Sequence, residues 1–207
     1  MGMKTLNTFA FGVKAVFATA LLALAPAVAF AHPGFPGHTH GFVNGLAHPL
    51  SGLDHFLAMT AVGLWAAQQG GKALWRVPLA FLSAMILGGM LGMLGMGEFS
   101  MLDQAIATTV LIMGILIATA KRLPVTAGSF LVGLFALFHG YAHGAEMPAT
   151  SSGLLYGAGF VLATALLHLF GIGMGLVARS TNSMIIIRIG GCAVAVCGIY
   201  LIFTATP

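Results

Sequence analysis

The sequence predicts an all-α protein, a polytopic membrane helix bundle with six transmembrane helices behind a cleaved signal peptide. Three observations carry this. Of 207 residues 59% are hydrophobic and only 6% charged, against about 25% charged in an ordinary soluble domain. Apolar runs of membrane-crossing length recur along the chain. The basic residues beyond the first stretch all fall in alternate loops, as they do when one side of a membrane protein is cytoplasmic.

The first stretch is a targeting segment. Lys4 and Lys14 precede an apolar run from Ala15 to Ala25, Pro26 breaks it, and Ala29-Phe30-Ala31 has the small-x-small pattern read by signal peptidase. Pro26 ends the run short of the roughly 20 residues a span needs, which weighs against the alternative of an uncleaved anchor. Residues 1–31 are therefore read as the signal peptide, 32–43 as a periplasmic tail rich in His, Pro and Gly, and 44–207 as the six-helix transmembrane domain.

The expected spans run over 44–67, 77–97, 104–120, 124–143, 153–178 and 184–204, as helices because lipid offers the backbone no hydrogen-bond partners. Lys72 and Arg76 follow the first span, Lys121 and Arg122 the third, Arg179 and Arg188 the fifth. Glu98, Asp103 and Glu146 lie toward the opposite side. The positive side is cytoplasmic, which places both ends of the mature chain in the periplasm. Trp65 and Trp75 flank the first basic loop, where indoles favour the interface. Gly88 with Gly92, Gly153 with Gly157 and Gly171 with Gly175 have the four-residue spacing that lets helix backbones approach. Cys192 and Cys197 sit too far apart on one helix for a disulfide and are read as buried packing residues. The twelve methionines are scattered, and are read as core or lipid-facing.

Composition also excludes functions. A net charge of +4 spread this thinly is no nucleic-acid footprint. No G-x-x-x-x-G-K-[ST] stretch occurs, so the chain carries no nucleotide motor of that kind.

What needs explaining is the set of ionisable groups within the spans, because a charged group there costs about 2.5–3.5 kcal/mol. In the first span, His48-Pro49-Leu50-Ser51-Gly52-Leu53-Asp54-His55 places His48 and His55 two turns apart on nearly one face. Asp54 points away from that stripe and is placed to orient a neighbouring imidazole. Pro49 has no amide proton and frees a carbonyl one turn back. In the fourth span, His139, His143 and Glu146 follow i, i+4, i+7 spacing and share a stripe about 60° wide. The fifth span adds His168. In the tail, His32, His38 and His40 are further donors, with the α-amine of His32 if cleavage follows Ala31. Imidazole suits nickel, copper, zinc and iron, and the lack of thiolates argues against copper(I).

The segments H-P-L-S-G-L-D-H (48–55) and F-H-G-Y-A-H-G-A-E (138–146) resemble the two signatures of the HupE/UreJ family of hydrogenase and urease accessory proteins. The resemblance spans the mature chain and includes the signal peptide, the six-helix layout and the His168 segment. It implies a nickel or cobalt permease of the bacterial inner membrane, not an enzyme, with His48, Asp54, His55, His139, His143 and Glu146 required for metal movement.

The function expected is thus uptake of Ni²⁺, and of Co²⁺ beside it, for nickel enzymes such as hydrogenase or urease. The metal is cargo, and no prosthetic group is expected. Partners are the metal ion and the lipid bilayer, with no nucleic acid; a homo-oligomer or nickel-enzyme maturation proteins are further partners between which the sequence does not choose. The energy source is equally open between passive diffusion, an ion gradient and a separate subunit. The rival reading is a haem-binding electron-transfer membrane protein, with histidines on facing helices as axial ligands. An intramembrane hydrolase built on Ser51 and His55 is disfavoured, because Asp54 points elsewhere and no G-x-S-x-G turn occurs.

Overall fold

The computed structural model describes residues 40–97, 99, 101–147 and 152–205. Residues 1–31, read as a signal peptide, together with His32, most of the tail and Glu98, lie outside the described residues. Those described form seven helices: α1 (His40–Ser51), α2 (Leu53–Gln69), α3 (Ala73–Met93), α4 (Leu102–Thr119), α5 (Val125–Ala145), α6 (Gly153–Ser180) and α7 (Met184–Thr204). Helix already begins at His40, within the segment read as tail. The helices coincide with the apolar runs, and α3 to α7 are each long and apolar enough to cross a membrane.

The first run behaves differently from the rest. It is divided at Gly52 into α1 of 12 residues and α2 of 17, neither long enough alone. Two residues account for the break. Pro49 donates no hydrogen bond to the helix behind it, and Gly52 takes an extended conformation, φ −94° and ψ 125°, before α2 starts. Ser51 Oγ donates to the His48 carbonyl at 2.8 Å, satisfying a terminal acceptor of α1.

Glycine seams hold the bundle together. α3 and α5 meet where a Cβ on Gly140 would strike the Met85 carbonyl and one on Gly144 the Gly89 carbonyl. On α6, Gly171 and Gly175 lie against Thr60 and Leu64 of α2 in the same way, and α4 and α7 meet at Gly114. Without a hydrophobic force between helices in lipid, such backbone approach is what makes association favourable. The Gly153/Gly157 pair makes no such seam: Gly157 faces open space, and Gly153 meets only the ends of Met93 and Met147.

α2 is the axial helix and is buried along nearly its whole length. This corrects the reading of Trp65 as an interfacial residue. It is 1% exposed, with its ring against Gly128 of α5, because α3, α4, α6 and α7 all surround α2. Trp75, by contrast, is 55% exposed, with the Arg76 guanidinium 5.1 Å from its ring centre. Cys192 and Cys197 are free, as expected, but not buried: Cys192 is exposed and Cys197 partly so, since α7 is an outer helix resting mainly on α4.

The basic loops gather at one end of the bundle. Gln69 bridges α2 to the α4–α5 loop, donating to the Lys121 carbonyl at 2.8 Å and accepting from Leu123 N at 3.2 Å. Arg179 donates to the Ala67 carbonyl at 3.1 Å and Arg188 to that of Ala118 at 2.8 Å. At the other end Asp103 opens α4 and Glu146 closes α5, and Tyr141 Oη donates to the Gly97 carbonyl.

Candidate metal centre

His48, His55, His139 and His143 lie in the half of the bundle nearer the acidic end. α2 begins there, so His55, in its first turn, sits just inside the break. α1 carries His48 to the same level from the other side of Gly52. α5 ends there and brings His143 in its last turn and His139 one turn deeper. Three imidazoles converge. His48, His55 and His143 can each offer one ring nitrogen such that all three atoms lie within 4.8 Å of one another. Ring centres are 4.3 Å apart for His55 and His143, 4.6 Å for His48 and His143, and 5.7 Å for His48 and His55.

Their hydrogen bonding leaves them available. Both nitrogens of His143 and Nε2 of His55 are buried without a hydrogen-bond partner. His139, fully buried, donates from Nδ1 to the Phe135 carbonyl at 3.0 Å, which leaves Nε2 as an unpartnered lone pair. Burying a polar group unpaired costs about 1–3 kcal/mol, so a cluster of them is a stored demand for a ligand. Asp54 Oδ1 lies 2.7 Å from His55 Nδ1, an ion-pair distance. The contact joins the carboxylate to the ring next to it on the same helix turn.

His139 stands beside this trio, its ring centre 5.5 Å from that of His55. Glu146 is left outside it: α5 ends at Ala145, and the Glu146 side chain is half-exposed at the helix terminus. Partial burial, followed by the Asp103 carboxylate nearby, pushes its pKa upward. His168 is also apart from the trio, fully buried on α6 with neither ring nitrogen partnered. Phe81 of α3 stands between, its ring centre 5.0 Å from His168 and 5.9 Å from His139.

α6 supplies a wall that the motifs alone did not reveal. Phe160 packs 4.3 Å from His143 and Tyr156 6.1 Å from His48, centre to centre. Counting back from His168 in steps of four gives Thr164, Phe160 and Tyr156, a helical stripe present in the sequence. A cavity of about 400 Å³ lined by Met90, Met93, Met147, Tyr156 and Phe160 reaches His143 from between α3, α5 and α6.

With this geometry in view, comparison with known proteins is direct. Residues 19–201 match the family of HupE / UreJ proteins. The chain belongs to the HupE/UreJ family. Protein HupE of Rhizobium leguminosarum bv. viciae is 45% identical over 185 residues, covering 89% of this chain and 95% of that protein. No solved structure matches. The family assignment agrees with the resemblance read from the two histidine segments, and both segments contribute rings to the trio.

Proposed function

We propose that this membrane protein takes up Ni²⁺, with Co²⁺ as a second cargo, across the bacterial inner membrane to supply nickel enzymes. The observation that carries the reading is the convergence of His48, His55 and His143 from three helices with ring nitrogens free to bind. Imidazole is a favoured ligand of nickel and cobalt. Three rings in mutual contact also leave no slot for a porphyrin unless they part, which disfavours the haem reading.

In this mechanism α1 and α2 together make the sixth crossing, broken at Gly52, with both ends of the mature chain periplasmic. Non-helical backbone at membrane depth is tolerated where it is covered by protein, as in transporters with discontinuous helices. The ion arrives from the acidic end, where Glu146 and Asp103 raise the local concentration of cations. It exchanges water for the trio's nitrogens, with Asp54 fixing the His55 ring. His139 takes the ion one turn deeper, and release is at the basic, cytoplasmic end. The test is accumulation of radiolabelled nickel by cells expressing the wild-type chain or His143→Ala at equal membrane levels. Accumulation by the wild type and background counts for the variant are expected; equal counts in both would remove the proposal.

A further inference from the structure

Below the imidazole trio the interior stays furnished with donors. Met59 lies one turn along α2 from His55 and is fully buried; Met85 of α3 is 3% exposed. Between their sulfurs stands Thr164 of α6, fully buried, its hydroxyl 3.3 Å from Met59 Sδ and 3.7 Å from Met85 Sδ. One turn further along α6 on the same face is His168, 1% exposed, with both ring nitrogens unpartnered. Three helices thus bring two thioethers, a hydroxyl and an imidazole to one stretch of the interior, and none of the four is a carboxylate. Leucine would fill the space of either methionine without offering a sulfur.

We propose that Met59, Met85, Thr164 and His168 form a second, inner station for the transported ion, binding through one nitrogen and two thioether sulfurs. The proposal rests on the uptake reading and deepens it. An ion leaving the trio passes His139 and meets a softer donor set before release. Imidazole suits nickel, and the two thioethers add soft donors that set a transition metal apart from hard cations. Mg²⁺ and Ca²⁺ require oxygen-rich, largely anionic shells and find none here. The inner station therefore filters out the abundant hard cations.

The full chain in lipid nanodiscs, equilibrated with Ni²⁺, supplies the test. Equilibrium dialysis counts the ions, and X-ray absorption at the nickel edge reports bound sulfur. The wild type is expected to hold one ion at each station and to show sulfur in the average nickel shell. His48→Ala/His143→Ala should lose the outer ion and keep one with a larger sulfur share. Met59→Leu/Met85→Leu should keep the outer ion with nitrogen and oxygen neighbours alone. An unchanged spectrum and count in the methionine variant overturns the inner station, as does a His48→Ala/His143→Ala protein that holds no ion or one without sulfur. In those cases the outer site survives; a wild-type protein that binds no nickel removes both.

Discussion

The His55 and His143 rings stand 4.3 Å apart, edge to face, one from the start of α2 and the other from the end of α5. Neither nitrogen of His143, nor Nε2 of His55, has a hydrogen-bond partner, so a ligand shared between the rings relieves two helices at once. Replacing either ring by alanine should cut nickel uptake at least about tenfold, since even residues that only orient a metal ligand are worth 10–100-fold. Uptake of radiolabelled nickel at matched membrane abundance reads the effect. The His55→Ala/His143→Ala double variant should be no worse than the weaker single, because either loss dismantles the same site.

Asp54→Asn keeps the shape beside His55 and removes the negative charge 2.7 Å from its Nδ1. The expected result is a loss of about 10–100-fold in nickel affinity, with the protein still inserted and folded. Isothermal titration of the purified variant gives the number, and affinity equal to wild type would show that the close contact does not bear on binding.

Uptake should fall as the external pH is lowered, because protons compete with the metal for the imidazole nitrogens. The sign follows from the ligand form. Neutral imidazole binds a metal and imidazolium does not, so acid removes the donor and a rising pH restores it. Initial uptake rates between mildly acidic and mildly alkaline buffers, at fixed free nickel, measure the profile. A rate that climbs with acidity would instead indicate proton-driven import.

The α3–α5 seam makes a structural prediction. Gly140→Val drives a side chain into the Met85 carbonyl of the facing helix, a backbone atom that cannot yield cheaply. Overpacking of this kind costs about 1–3 kcal/mol or more, and the thermal unfolding midpoint in detergent should drop accordingly. Gly157→Ala, at a position with nothing nearby, should leave the midpoint where it is or raise it.

The helix positions were legible because lipid makes hydropathy and length the same signal, and the basic loops at 72–76, 121–122 and 179–188 do gather at one end. Two features were not legible. Trp65 reads as an interfacial anchor from its distance to Lys72, but which helix lies at the bundle's axis depends on pairwise packing that one sequence does not display. His48 and His55 read as one stripe on a continuous helix, whereas Gly52 interrupts it; Pro49 signalled that a break was near without locating it. At the site, the two motifs pointed to the rings that meet, because helical spacing determines which residues share a face. Periodicity carried Glu146 along the same stripe, but the stripe outruns the helix, which stops one residue short. The aromatic wall and the two buried sulfurs went unread, since Phe, Tyr and Met look like ordinary bilayer residues until a neighbour is known.

The interruption at Gly52 leaves His48 and His55 on two separate rods, so no run of backbone hydrogen bonds fixes their spacing. Each rod leans independently on α6: Gly45 of α1 abuts the backbone of Tyr156, and Gly63 of α2 abuts that of His168. α6 is thus the common straightedge against which the gap between the two rings is set. A bulkier side chain at position 45, which carries no imidazole of its own, would lever the short rod outward and widen the gap between the two rings without replacing either of them.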